Sequence, residues 1–110
     1  MKNDSSKDTL SDFGRFSEPA LLVLVSLADG AKHGYAMIED IAAVAGVRFG
    51  AGTLYGAIAR LESRGLIQAL PVDDRRRPYV LTASGERLLR ARLSALQSVT
   101  RVGQRRLAKA

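Results

Sequence analysis

Residues 66–82 read LIQALPVDDRRRPYVLT, and this stretch decides the fold. Two short apolar runs, at residues 66–70 and 79–82, lie on either side of a charged segment that contains two prolines. Apolar runs that flank a polar, turn-rich segment are typical of a β-hairpin, and Pro78 fits the first residue of a strand. We therefore predict a hairpin whose loop carries Arg75, Arg76 and Arg77.

Three helices are predicted before this hairpin. The first begins at Ser17-Glu18-Pro19, where a capping hydroxyl precedes a proline, and ends at Asp29-Gly30. The second covers residues 34–45 and stops at Gly46, and the third covers residues 51–64. An apolar stripe at spacings of three and four marks the buried face of the third helix. Its members are Leu54, Ile58 and Leu61.

A last helix is predicted after the hairpin, with Thr82 as its cap and a range from about Ala83 to near the C-terminus. One side of this helix is apolar, and arginines surround that side. The apolar members are Leu88, Leu89, Leu93, Leu96, Val99 and Leu107. Neither this side nor the almost entirely apolar first helix can be fully covered by so small a chain, which indicates a homodimer.

The order helix, helix, helix, hairpin, helix is that of a winged helix-turn-helix. We predict a mainly α fold with a small β-hairpin, an α+β arrangement in which the third helix enters the major groove of DNA. The expected division is a loose arm at 1–16, a DNA-binding domain at 17–82 and a dimerisation helix at 83–110. The predicted interface residues are Leu21, Leu24, Leu89, Leu93 and Leu96.

The composition excludes several classes of chemistry. The chain has 110 residues, no cysteine and the single histidine His33, so disulfides, thiolate metal sites and multi-histidine metal sites are excluded within one chain. No catalytic constellation is visible, and we predict neither an enzyme nor a cofactor or metal. No run of about 18 apolar residues exists and the N-terminus is polar, so we expect a cytoplasmic protein with no membrane partner.

The charge is distributed unevenly along the chain. The formal net charge is +6, yet residues 51–110 carry +8 and residues 1–50 carry −2. A basic half on a soluble protein favours a polyanionic partner such as nucleic acid. Three consecutive arginines at a hairpin tip repel one another unless an anion is near, which favours contact with DNA phosphates over a merely solvated turn. Arg60 lies off the buried stripe and is a further candidate for contact with DNA.

Four motifs in this order resemble the PadR family of bacterial transcriptional regulators. They are His33-Gly34-Tyr35-Ala36-Met37, Gly52-Thr53-Leu54-Tyr55, residues 61–67 (LESRGLI) and residues 77–85 (RPYVLTASG). The resemblance covers roughly residues 20–92. The chain is similar to the small members of the family, which have one C-terminal dimerising helix.

The resemblance implies a homodimeric winged-helix repressor that binds a double-stranded DNA operator. Carried over by position, Thr53 and Tyr55 match family residues that touch DNA, and Tyr35 matches a position close to the phosphate backbone. The three wing arginines match the family's basic wing tips. A small-molecule effector is possible in this family, and nothing in the sequence identifies one.

Two other functions stay open at this point. The protein is alternatively a winged-helix interaction module whose basic wing binds an acidic protein, or a small-molecule sensor whose DNA binding is secondary. Two side chains also have structural alternatives. For Tyr55 the alternative to reaching a phosphate is packing on the wing, and His33 is interpreted as a structural residue near the start of the second helix.

Overall fold

The computed structural model describes residues 18–109. Four helices and three short strands follow one another along this range. The helices are α1 (Pro19–Leu27), α2 (Gly34–Ala45), α3 (Ala51–Ser63) and α4 (Ala83–Lys109). The strands are β1 (Lys32–His33), β2 (Ile67–Ala69) and β3 (Pro78–Leu81). The predicted mainly α fold with a small sheet is confirmed, whereas the predicted arm at 1–16 and the capping Ser17 lie outside the described residues.

The sheet has one strand more than the sequence predicts. β2 and β3 form the predicted antiparallel hairpin, with Gln68 opposite Val80, and β1 adds to the other edge of β3 with His33 opposite Pro78. The prediction of a two-stranded sheet is therefore corrected. A two-residue strand is too short to produce an alternating pattern, so its pairing depends on where the hairpin lies in the fold.

Gly46 and Thr82 lie at helix ends as predicted, whereas the N-cap of α1 is Glu18 and not the predicted Ser17. His33 precedes α2, and its Nδ1 accepts a hydrogen bond from the backbone N–H of Ala36 at 3.3 Å. Gly46 ends α2 with φ of +70°, in the left-handed region that glycine adopts without strain. Thr82 caps α4, where its Oγ1 accepts from the backbone N–H of Gly85 at 3.0 Å. The same Oγ1 donates to the carbonyl of Gly65 at 2.7 Å, which ties α4 to the end of α3.

The core lies between α1, α2 and α3 and closes against the hairpin. The predicted stripe of α3 is buried: Leu54, Ile58 and Leu61 are at most 3% exposed. From α4 only Leu89 joins this core, and every residue from 90 to 109 except Val102 is exposed. Most of α4 therefore extends beyond the core as a helix whose apolar side is uncovered in a single chain.

Candidate nucleic-acid interface

The outer face of α3 carries the residues predicted to reach DNA. Thr53, Tyr55 and Arg60 are exposed, and they lie off the stripe that packs into the core. The side chain of Arg60 folds back along the helix, so that a Cβ at Gly56 would lie 3.6 Å from its guanidinium. The core thus fixes the helix, and its opposite side remains open to a partner.

Tyr55 also has a structural contact. Its ring and hydroxyl lie against Cα of Gly34, at the first residue of α2, so closely that a side chain at position 34 would overlap them. Tyr79 of β3 is close as well: its pKa is raised, first by burial and then by the nearby Glu62 and Tyr55. Tyr55 is therefore half-exposed at a point where α2, α3 and the sheet meet.

We call the hairpin formed by β2, β3 and the loop between them the wing. Its tip is a two-residue turn. The backbone N–H of Asp73 donates to the carbonyl of Arg76 at 2.7 Å, and the N–H of Arg76 donates back at 2.9 Å. Asp74 and Arg75, between them, have φ of +50° and +66°. Both central residues thus have the left-handed backbone that a type I′ hairpin turn requires, although neither is glycine.

The three wing arginines have different environments. Arg77 donates from its guanidinium to the carbonyl of Leu70 at 2.7 Å, within the hairpin. The guanidinium of Arg76 lies 3.1 Å from Nε2 of His33. Arg75 stands at the tip and makes no side-chain hydrogen bond or ion pair within residues 18–109. The sequence does not distinguish the three, because their contacts form only when the hairpin folds and pairs with β1.

Tyr35 lies near an ion pair that the sequence analysis did not identify. Tyr35 is 62% exposed in the first turn of α2. One turn later, Glu39 accepts two hydrogen bonds from Arg48, at 2.8 and 2.9 Å. This contact with Arg48 lowers the pKa of Glu39 below its ordinary value, and Tyr35 contributes as the least of the causes. Arg48 is thereby held in the connector between the two helices of the helix-turn-helix.

The predicted dimer-interface leucines fall into two groups. Leu93 and Leu96 are 44% and 43% exposed on α4, and Leu21 is half-buried on α1. Leu24 and Leu89, at 2% and 4% exposure, already pack inside a single chain. A side chain enclosed by its own core has little surface left for a second subunit, so Leu21, Leu93 and Leu96 are better placed for an interface than Leu24 and Leu89.

The described part of the chain contains neither a metal-binding cluster nor a membrane-spanning helix. Residues 18–109 contain no group of three or more histidine, cysteine, aspartate or glutamate side chains that could hold a metal ion. Over the same range, no helix combines the length and the apolar character that crossing a membrane requires.

Comparisons with known proteins identify the family. A family model described as "Transcriptional regulator PadR-like family" matches residues 23–91. A protein described as "Uncharacterized 37.1 kDa protein in transposon TN4556", from Streptomyces fradiae, is 48% identical over 75 residues. That match covers 68% of this chain and 22% of the relative, so the chain spans about a fifth of the relative's length.

Solved structures with the same fold include several regulators. A PadR family transcriptional regulator from Eggerthella lenta is 29% identical, with a TM-score of 0.73 over 96% of this chain and 93% of that one. A PadR family transcription regulator from Clostridium difficile has a TM-score of 0.71 at 23% identity, over 81% and 97% of the two chains, and supports the fold alone. Because the family model matches well over half of its length, the chain belongs to the PadR-like family of transcriptional regulators.

Proposed function

We propose that the chain binds double-stranded DNA as a homodimer and represses transcription by occupying an operator. One observation carries this proposal: two segments, the start of α2 and the wing, meet beside the exposed face of α3. Tyr55 of α3 lies on Gly34, and Arg76 of the wing lies on the neighbouring His33. A recognition helix and a basic wing on one edge form a surface suited to a major groove and its flanking phosphates.

Within this proposal, the side chains have separate roles. Thr53 and Arg60 on the outer face of α3 are the candidates for reading bases, and Tyr55 and Tyr35 are candidates for contacting phosphates through their hydroxyls. Arg75 has no other partner in the described chain, so it is the wing side chain most available to DNA. Arg77 is held by the carbonyl of Leu70, and Arg76 lies against His33, so both present their charge beside the start of α2.

The homodimer is proposed because α4 leaves a long apolar side uncovered. Its exposed members in a single chain are Leu88, Leu93, Leu96, Val99 and Leu107. We propose that residues 83–110 and α1 join two copies, while residues 17–82 form the DNA-binding part. If both recognition helices lie on one side of the duplex, the half-sites are separated by about 10 bp or a multiple of it. Such a protein acts where DNA is, which agrees with a cytoplasmic location.

The test compares two triple variants that each remove three arginines. One replaces Arg75, Arg76 and Arg77 with alanine, and the matched control replaces the exposed Arg101, Arg105 and Arg106 of α4. Fluorescence anisotropy with a selected operator and a scrambled duplex, at several salt concentrations, gives affinity and salt slope. We expect the wing variant to bind more weakly, with a slope shallower by up to about 0.9 for each lost phosphate contact. The α4 variant should retain both.

An unchanged affinity and salt slope in a folded wing variant would show that the wing does not contact DNA. Equal losses in both triple variants would indicate a diffuse effect of net charge, without a defined DNA-binding edge. A loss with every sequence would mark phosphate contacts, and a loss confined to the operator would mark reading of the minor groove.

A further inference from the structure

His33 is the only histidine of the chain, and its ring lies between α2 and the wing. Nδ1 accepts the backbone N–H of Ala36 at 3.3 Å, and Nε2 lies 3.1 Å from the Arg76 guanidinium. Capping of α2 accounts for the first nitrogen alone. The cap does not explain why the second nitrogen lies against a cation.

The ring of His33 is approached by two N–H donors, from Ala36 and from Arg76, and the cap of α2 favours one tautomer. A neutral imidazole carries one proton, and Nδ1 cannot carry it while it accepts from Ala36, so the proton is on Nε2. The guanidinium of Arg76 has only donors. Two N–H donors thus face the same point, and no acceptor within residues 18–109 bonds to either of them. Donors that converge in this way can share one acceptor, and a charged oxygen accepts from them more strongly than water does.

The charges around this point select the class of acceptor. The cleft beside His33 is lined by Lys32 on one side and by Asp73 and Asp74 on the wing side. Lys32 is already bonded to Asp29 and to the carbonyl of Ser26. The two carboxylates repel a free, doubly charged phosphate. A phosphodiester carries a single charge and is brought to the site by the rest of a DNA interface, so it is the better fit.

We propose that His33 and Arg76 together hold one phosphodiester oxygen of the DNA backbone in each half-site, with His33 donating from Nε2 and Arg76 from its guanidinium. The inference rests on the proposed DNA binding and assigns a contact to His33 that the sequence analysis did not. The held phosphate lies between the recognition helix and the wing, because Gly34, next to His33, contacts Tyr55 of α3. The pair would thus set the position of the wing relative to α3 on the duplex.

Two substitutions separate the two nitrogens of His33. Asparagine places a carbonyl oxygen near the position of Nδ1 and is a favoured N-cap, so His33→Asn keeps the cap and removes the Nε2 donor. Glutamine places its amide N–H₂ near the position of Nε2, so His33→Gln keeps a donor and weakens the cap. We expect His33→Asn to melt near the wild-type temperature and to bind DNA about tenfold more weakly. His33→Gln should melt lower and bind DNA nearly as well as the wild type.

The phosphate itself is tested with a duplex selected by the wild type from a random-sequence pool. Single linkages are replaced in turn by neutral methylphosphonates, and binding is measured by anisotropy for the wild type, His33→Asn and Arg76→Ala. We expect one linkage per half-site to weaken wild-type binding and to have little further effect on either variant. The double variant should lose less affinity than the two single losses predict together, because one acceptor is shared.

The outcomes distinguish this proposal from the function on which it rests. If the wild type selects and binds a duplex, but His33→Asn binds equally well or no linkage shows the coupled loss, the shared phosphate is wrong and DNA binding stands. If the wild type binds no duplex, the proposed function fails and the phosphate contact fails with it. A loss of wild-type affinity at one linkage in each half-site that His33→Asn does not show supports both.

Discussion

The ring and hydroxyl of Tyr55 occupy the space that a side chain at position 34 would need. Tyr55 belongs to α3 and Gly34 is the first residue of α2, so this contact fixes the start of one helix against the side of the other. The glycine is required here by the close approach of Tyr55, since its backbone does not have the positive φ found at Gly46 and Gly65.

Replacing Gly34 with alanine should destabilise the protein. The added methyl group would displace Tyr55, and overpacking of this kind typically costs about 1–3 kcal/mol. Urea denaturation monitored by circular dichroism measures the loss. Gly52→Ala is the control, because Gly52 lies in α3 with open space around it and alanine there should gain about 0.5–1 kcal/mol. A gain in both variants would show that Tyr55 does not press on position 34.

Gly85→Ala should be more damaging than Gly34→Ala. A Cβ at position 85 would overlap the backbone carbonyl oxygen of Leu66, which cannot rotate away as a side chain can. We expect a loss of about 3 kcal/mol or more in the free energy of unfolding, measured in urea. Gly103→Ala, on the same helix with nothing near it, should instead be neutral or stabilising. Equal effects of the two changes would contradict the close approach of α4 to Leu66.

These contacts explain why the sequence predicts the fold well and the site less well. The stripe at Leu54, Ile58 and Leu61 and the capping Thr82 are local patterns, and the structure confirms them. The glycines at positions 34 and 85 belong to the motifs that resemble the PadR family. Only the folded structure shows which neighbouring atoms occupy the space that a side chain would need at each position. Local periodicity predicts helices and strands, whereas such close approaches depend on residues far apart in the sequence.

The candidate site was harder to predict for the same reason. The pairing of β1 with β3 brings His33 to Arg76, 43 positions away in the chain. Sequence spacing alone therefore does not distinguish the wing arginines, although two of the three contact residues elsewhere in the chain. Likewise, an apolar position on a helix does not reveal whether its own core or a second subunit covers it, as Leu24 and Leu89 illustrate.

Leu93→Arg should dissociate the proposed dimer. Leu93 is 44% exposed on α4 in a single chain, so a charge there is tolerated by the monomer but would be buried unpaired at an interface. Analytical ultracentrifugation should give about twice the 11.8 kDa chain mass for the wild type and the chain mass for the variant. DNA affinity should fall as well, because two linked half-site contacts reinforce each other through effective concentration.

The control for this change is Val44→Arg. Val44 is 64% exposed on α2, away from the apolar side of α4, so this variant should remain dimeric. If Leu93→Arg sediments as the wild type does, α4 is not the interface at this position. A monomeric wild type at micromolar concentration would overturn the dimer altogether.

The ion pair between Glu39 and Arg48 should respond to acid in a defined direction. Hydrogen bonding from Arg48 lowers the pKa of Glu39 below its ordinary value of 4.5. The pair therefore stabilises the fold fully above that ordinary pKa, and the contribution is lost as pH falls through the lowered, folded-state value. Carbon-13 NMR titration of the Glu39 carboxyl should show its pKa rising in Arg48→Met. An unchanged titration would mean that the two side chains do not interact in solution.

Arg75→Gly should stabilise the protein while weakening its binding to DNA. Arg75 has φ of +66°, where a non-glycine residue is strained by about 1–2 kcal/mol. Glycine removes that strain and creates the Asp-Gly pair that type I′ turns prefer, although its greater freedom in the unfolded chain offsets part of the gain. We expect a net gain of about 0.5–1 kcal/mol in urea denaturation. Loss of the guanidinium at the tip should lower DNA affinity and make its salt dependence shallower.

Asp74→Gly is the matched control, since Asp74 lies beside Arg75 in the same turn with φ of +50°. It relieves the same kind of strain but removes a carboxylate, which DNA repels, so affinity should be kept or increased. The pair of variants therefore separates the stability of the turn from its charge. If Arg75→Gly and Asp74→Gly both stabilise the fold and bind DNA equally well, the left-handed arginine has no role in DNA binding. If Arg75→Gly destabilises the protein, its guanidinium instead holds the turn together through a contact within the chain.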